Sequence, residues 1–184
     1  MNDLELIDAL IRREVGKTDD ASNDPADRGG LTHFGITKAG YSDFLGRPAT
    51  DADINALTRA RARAFYQWLL DSTIGDLVTH PPLRGLLLDI IANHGKQNAT
   101  RIIQRAVGVT VDGVFGKLTR AALAKAASED PSRLFRDIVA DRLEFTGRII
   151  TKNLRDDDHD GIPDNTEFAW GWLNRQAEFV RMDV

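Results

Sequence analysis

Residues 83–92, LRGLLLDIIA, are apolar nearly all round. A helix of that composition has to be buried on every side, so the chain must wrap other elements about it. The wrapping is legible on either side. Leu4, Ile7, Leu10 and Ile11 recur at helical spacing and predict a first helix over residues 3 to about 15, closed by Gly16. Residues 36–45 predict a short helix ended by Gly46. Thr50-Asp51-Ala52-Asp53 reads as a capped start, with acidic residues in the first turn of a helix running to about residue 70. Asn93-His94-Gly95 is expected to close the central helix, followed by helices over 100–107, 117–127, 131–153 and 168–180. Asp112-Gly113 between β-rich flanks predicts a small hairpin over 109–115, and residues 17–30 form a long polar loop, with room for a short hairpin. The expected fold class is all-α with a small β-hairpin and about eight helices. A chain of 184 residues makes one domain, with a first part over 1–95 and a second over 96–184.

Composition narrows the chemistry. Hydrophobic residues make up 42% and charged residues 28%, as in ordinary globular proteins. There is no cysteine, which excludes disulfides, zinc–thiolate centres and a thiol nucleophile. The net charge of −4 is more than accounted for by six carboxylates between Asp156 and Glu167. The remainder is weakly positive and lacks the basic footprint of a nucleic-acid binder. No apolar run is long enough to span a bilayer, and the first residues lack the pattern of a secretory signal. The expectation is a monomer with no stable membrane anchor.

The acidic stretch 156–167, DDDHDGIPDNTE, has a specific spacing. Asp156, Asp158, Asp160, Asp164 and Glu167 fall at loop positions 1, 3, 5, 9 and 12, Gly161 at position 6, and Ile162 offers a backbone carbonyl at position 7. That is the EF-hand pattern of oxygen ligands for Ca2+. Pro163 at position 8 lacks the N–H through which paired loops exchange hydrogen bonds, so a single structural site is expected rather than a two-loop sensor.

Glu14 lies in the last turn of the first helix, facing the polar loop. The negative end of a helix and partial burial both disfavour a carboxylate, which suits a general acid. Asp24 and Asp27, in a Gly-rich polar loop, are expected to stay ionised, and Thr32 supplies a hydroxyl. Together these make a workable glycosidase set. Each has a plainer role as well: Asp24 an Asx-turn before Pro25, Asp27 a partner of Arg28, Thr32 a turn residue. Trp68, Trp170 and Trp172 sit at helical spacings and read as core.

Glu14, with Asn23-Asp24-Pro25-Ala26-Asp27-Arg28-Gly29-Gly30-Leu31-Thr32-His33-Phe34-Gly35-Ile36-Thr37, resembles the opening of glycoside hydrolase family 108, lysozyme-like muramidases common among phage endolysins. The resemblance continues in Asp89-Ile90-Ile91-Ala92-Asn93-His94-Gly95. Gln104-Arg105-Ala106-Val107-Gly108 and Val111-Asp112-Gly113-Val114-Phe115-Gly116 look like the family's peptidoglycan-binding C-terminal part, and Gly171-Trp172-Leu173-Asn174-Arg175 its closing helix. The resemblance implies a lysozyme-like fold and cleavage of the β-1,4 bond between N-acetylmuramic acid and N-acetylglucosamine in bacterial peptidoglycan. It also implies that Glu14 is the essential acid and that substrate meets His33, Asn93 and His94. One departure is local: Glu14-Val15-Gly16-Lys17 stands where the family usually has Glu-Gly-Gly-Tyr. The endolysin reading further implies residence in the host cytoplasm until lysis, then at the periplasm and cell wall, with dependence on a holin-type pore. Two rival readings are a catalytically inactive, calcium-stabilised peptidoglycan-binding module and a calcium-regulated interaction protein.

Overall fold

The computed structural model describes residues 2–15, 31–152 and 164–184. Among the described residues the order is α1 (Asp3–Val15), β1 (Thr32–His33), β2 (Ile36–Thr37), α2 (Lys38–Leu45), α3 (Asp51–Asn55), α4 (Arg59–Thr73), α5 (Pro81–Ala106), α6 (Lys117–Glu129), α7 (Pro131–Lys152) and α8 (Asp164–Val180). A single 3-10 turn, Gly75–Leu77, precedes α5. The fold is all-α with a two-stranded antiparallel hairpin, in which Thr32 pairs with Thr37 and His33 with Ile36.

The apolar segment is the axis. Leu83, Leu86, Leu87, Leu88, Ile90 and Ile91 of α5 are all fully or almost fully buried. α7 packs along α5, α8 packs on α7, and α1 and α4 close the other side. α1 contributes Leu6, Ile7, Leu10 and Ile11 to the core, while Leu4 is half exposed. Glu14 follows Ile11 by three positions and Leu10 by four, so it prolongs the buried stripe of α1 rather than leaving it.

Several local expectations are revised. The central helix does not end at Gly95. Gly95 adopts φ 71°, ψ 161°, and α5 resumes beyond this kink to Ala106. Glycine takes this conformation without a Cβ clash, so it bends the helix instead of stopping it. The helix expected from residue 50 to 70 is two. Thr50 caps α3 through a capping box with Asp53, then Thr58 accepts from the Arg61 N–H and starts α4 afresh, with Leu57 buried between them.

No strand forms over 109–115. Gln104 of α5 takes the hydrogen bonds a cross-strand partner would use: its amide donates to Asp112 Oδ1 at 2.7 Å and to the Val114 carbonyl at 3.1 Å, and its carbonyl accepts the Gly113 N–H at 2.9 Å. Lastly, Ile36 and Thr37 belong to β2, and Thr37 caps α2 by accepting the Gly40 N–H. Trp170 is 75% exposed and so is not core, Trp172 stacks on Phe168, and Trp68 is partly buried against the core. No helix among the described residues is long and apolar enough to cross a membrane.

Candidate active site

The site is built around a carboxylate that the sequence reading passed over. Asp89 sits in the most apolar stretch of α5 and is completely buried. Three guanidinium groups converge on it. Arg142 of α7 approaches Oδ2 at 2.7 Å, while Arg175 of α8 and Arg13 of α1 approach Oδ1 at 3.0 and 3.2 Å. These cations hold the Asp89 carboxyl below its ordinary range even though burial pushes the other way. One buried carboxylate thereby ties together four helices. A carboxylate inside an otherwise apolar helix was the available signal, since such a group is seldom buried without a cation.

Glu14 is the second acid in the cluster, and its environment acts in the opposite sense. Its side chain is 15% exposed. Burial raises its pKa above the ordinary carboxyl value, outweighing Arg175, whose Nη2 donates to Glu14 Oε1. The other carboxyl oxygen faces Gly35. A methyl group placed on Gly35 would lie 2.6 Å from Glu14 Oε2. Gly35 holds φ 73° at the tip of the hairpin, next to Phe34, the one non-glycine residue with positive φ among those described. Tyr66, buried on α4, fixes that tip by donating its hydroxyl to the Phe34 carbonyl at 2.8 Å.

Residues that contact this acid line two pockets. One, of about 340 Å³, is lined by Gly35, Thr37, Tyr66, Trp68, Gly95 and Lys96, with the Lys96 ammonium 4.3 Å from the Trp68 ring centroid. The other, of about 220 Å³, is lined by Asn93, His94, Arg142, Trp172, Arg175 and Gln176. Gly35 and Arg175, the two walls of Glu14, thus line one pocket each. The kinked turn of α5 lies between the pockets and sends Gly95 and Lys96 to the first, Asn93 and His94 to the second.

The expected substrate contacts divide. Asn93 is exposed, and its amide donates to the Asp89 carbonyl at 2.7 Å. His94 is partly buried and accepts from Arg142 Nε at 3.2 Å. Burial and the Arg142 charge push its pKa down to about 4, so the ring is neutral at working pH. His33 is only 8% exposed, stacked on Phe34, with Nδ1 3.2 Å from the Ile54 carbonyl. It therefore presents little surface to a ligand. Strand alternation sends it inward and leaves Thr32, its neighbour, half buried on the other face.

Asp24 and Asp27 lie outside the described residues, as do Asp156, Asp158, Asp160 and Ile162. Asp164 and Glu167 fall within α8 as backbone alone.

Residues 7–95 match the family described as glycosyl hydrolase 108, and residues 98–177 match a predicted peptidoglycan domain. Among solved structures the fold is similar to that of Brucella abortus SagA: identity is 26% and the TM-score 0.72, over 96% of this chain and 90% of that one. No curated protein matches the sequence. Glu14 and Asp89 fall in the first matched region, Arg142 and Arg175 in the second, and the fold is the lysozyme-like one expected of such a chain. The chain thus joins a glycosyl hydrolase 108 region to a predicted peptidoglycan domain, the combination of a glycoside hydrolase acting on peptidoglycan.

Proposed function

We propose that the enzyme is a muramidase, cleaving the β-1,4 bond from N-acetylmuramic acid to N-acetylglucosamine with Glu14 as general acid. One observation carries this reading: Glu14 is a largely dehydrated carboxyl of raised pKa, held between Gly35 and Arg175, each of which lines a pocket. A general acid must hold its proton near the working pH and release it to an oxygen within hydrogen-bond reach.

The glycan runs from the pocket beside Trp68 to the pocket beside Trp172, so that the scissile bond crosses Glu14. Trp68 gives a sugar face an aromatic surface, and Asn93 and His94 meet the strand on the far side. Glu14 protonates the glycosidic oxygen as the bond lengthens through an oxocarbenium-like state. Water completes the hydrolysis, guided by Asp24, Asp27 or Thr32.

The bond is tested by its products. Purified peptidoglycan is digested and the new sugar ends are reduced with borohydride. The reading expects reduced muramic acid. Reduced glucosamine as the main product would overturn it.

The spacing of residues 156–167 supports one structural Ca2+ held by Asp156, Asp158, Asp160, Ile162, Asp164 and Glu167. The likeness of the motifs to phage endolysins supports a role in host lysis, with the enzyme kept in the cytoplasm until a holin-type pore admits it to the wall. Expression with and without such a pore tests this. Lysis dependent on the pore is expected, and equal lysis without it contradicts the role.

A further inference from the structure

We infer that Arg175, supplied by the peptidoglycan domain, is a positioning residue for Glu14: by occupying Oε1 it confines the acid's proton to Oε2, on the side of Gly35. The inference rests on the general-acid reading of Glu14 and adds a role for the second half of the chain in the chemistry.

Three observations lead there. Arg175 Nη2 donates to Glu14 Oε1, across 161 positions of sequence. A guanidinium only donates, so the oxygen it meets is an acceptor and a proton on that carboxyl belongs on the other oxygen. Oε2 is the atom a Gly35 methyl would strike, and Gly35 lines the pocket of about 340 Å³. Arg175 is also not free to turn. Its Nε donates to Asp89 Oδ1 at 3.0 Å, and Asp89 is held in place by Arg142 and Arg13.

The fork of Arg175 therefore transmits the fixed position of Asp89 on α5 to Glu14 on α1. Among the described residues, the charged and titratable groups about Glu14 are Arg175 on α8, Asp89 on α5, Arg13 on α1 and the Tyr66 hydroxyl on α4. Arg175 is the cation that opposes the effect of burial most strongly. It keeps the proton exchangeable while burial keeps it present.

The test uses the full chain and soluble glycan strands of un-cross-linked peptidoglycan. Arg175→Met removes the charge and the fork. Its expected signature is a kcat lower by about tenfold or more, since small misplacements of a reacting group cost that much. KM should change by much less than kcat, because the fork of Arg175 is engaged by Glu14 and Asp89 rather than by the sugar. The alkaline limb of the kcat profile should move up by about one pH unit, because a desolvated carboxyl has lost its nearest cation. Arg175→Lys should recover part of the rate, since an ammonium restores charge but cannot span Asp89 and Glu14 together. A wild-type kcat and alkaline limb in Arg175→Met, or a change in KM alone, overturns the role.

Should the methionine variant lack a cooperative melt, Arg175→Lys decides. A kcat severalfold down with the limb moved in the same direction supports the role, and wild-type behaviour overturns it. Glu14→Gln is measured alongside. If it hydrolyses as wild type, the general-acid reading itself falls. If it is inactive while Arg175→Met keeps an unaltered limb, only the role of Arg175 falls.

Discussion

Gly35 and Glu14 are in such close approach that any side chain at residue 35 would occupy space the carboxyl already fills: a Cβ there would stand 2.6 to 2.8 Å from Oε2, Cγ and Cδ of Glu14. The backbone adds a second constraint, because φ 73° is costly for any residue with a Cβ. Gly35→Ala should therefore lose about 1–2 kcal/mol of stability to backbone strain, with a further loss where the carboxyl is displaced. Its kcat should fall by much more than its melting temperature implies. Chemical denaturation beside peptidoglycan turnover checks this, and a variant of wild-type activity would show that the contact is slack.

Asp89 is the partner three arginines share, so neutralising it leaves buried positive charge uncompensated. Asp89→Asn is expected to cost about 3–5 kcal/mol, the magnitude of breaking a buried ion pair from one side. Its pKa is held low in the fold, so the stability it confers is present at neutral pH and is lost as pH falls through its folded value. Urea melts at neutral and acid pH measure both effects. The gap between wild type and variant should narrow in acid.

His94 makes a second pH-dependent contribution. Its folded pKa, about 4, lies below the ordinary 6.5, so the unfolded chain binds the proton more readily. The associated stability is complete above pH 6.5 and declines as pH falls from there towards 4. Wild type should lose about 2–3 kcal/mol more than His94→Gln over that interval. Equal slopes for the two proteins would contradict the burial of a neutral ring.

Glu14 itself should be a stability cost at neutral pH. Its folded pKa is raised, so the fold favours the protonated form, and that advantage is lost as pH rises through the folded value. Gln cannot ionise and can still accept from Arg175. Glu14→Gln should thus melt at a higher temperature than wild type at neutral pH, by about 2–4 °C for each kcal/mol gained in a chain of this size. A lower melting temperature would mean that the ion pair outweighs dehydration.

Calcium is tested apart from the cleft. Titration calorimetry should find one Ca2+ per chain, with binding lost in Glu167→Gln, which removes the bidentate ligand at position 12. Saturation at about 100 times Kd should add about 2.7 kcal/mol to stability. A melting temperature indifferent to chelator would remove the site.

How far the sequence speaks depends on the range of the interaction. The central helix was legible because a segment apolar on every face has one environment available to it. α1 was legible because its apolar periodicity is local, and α2 because the glycine that ends it, Gly46, is adjacent in sequence. Glu14 and the direction in which burial moves its pKa were found from its motif and its place at a helix end, but its neighbours Arg175 and Gly35 were not. Arg175 is held to Glu14 by packing among α1, α5, α7 and α8, and no pattern within one helix encodes a partner 161 positions away. Asp89 could have been flagged, since a carboxylate amid Leu86, Leu87, Leu88, Ile90 and Ile91 has to be neutralised by something. The turn at Asp112-Gly113 misled for the opposite reason: its local signal is that of a hairpin, but the Gln104 amide, reaching from α5, satisfies the backbone first.

Catalysis by this fold depends first on the proton of Glu14. The direct measurement is kcat for Glu14→Gln on purified peptidoglycan, with circular dichroism and thermal melting confirming the fold. General-acid catalysis predicts a loss of about 100- to 10,000-fold in a variant as stable as wild type or more so. A folded Glu14→Gln that releases reducing ends within a few-fold of the wild-type rate would contradict it.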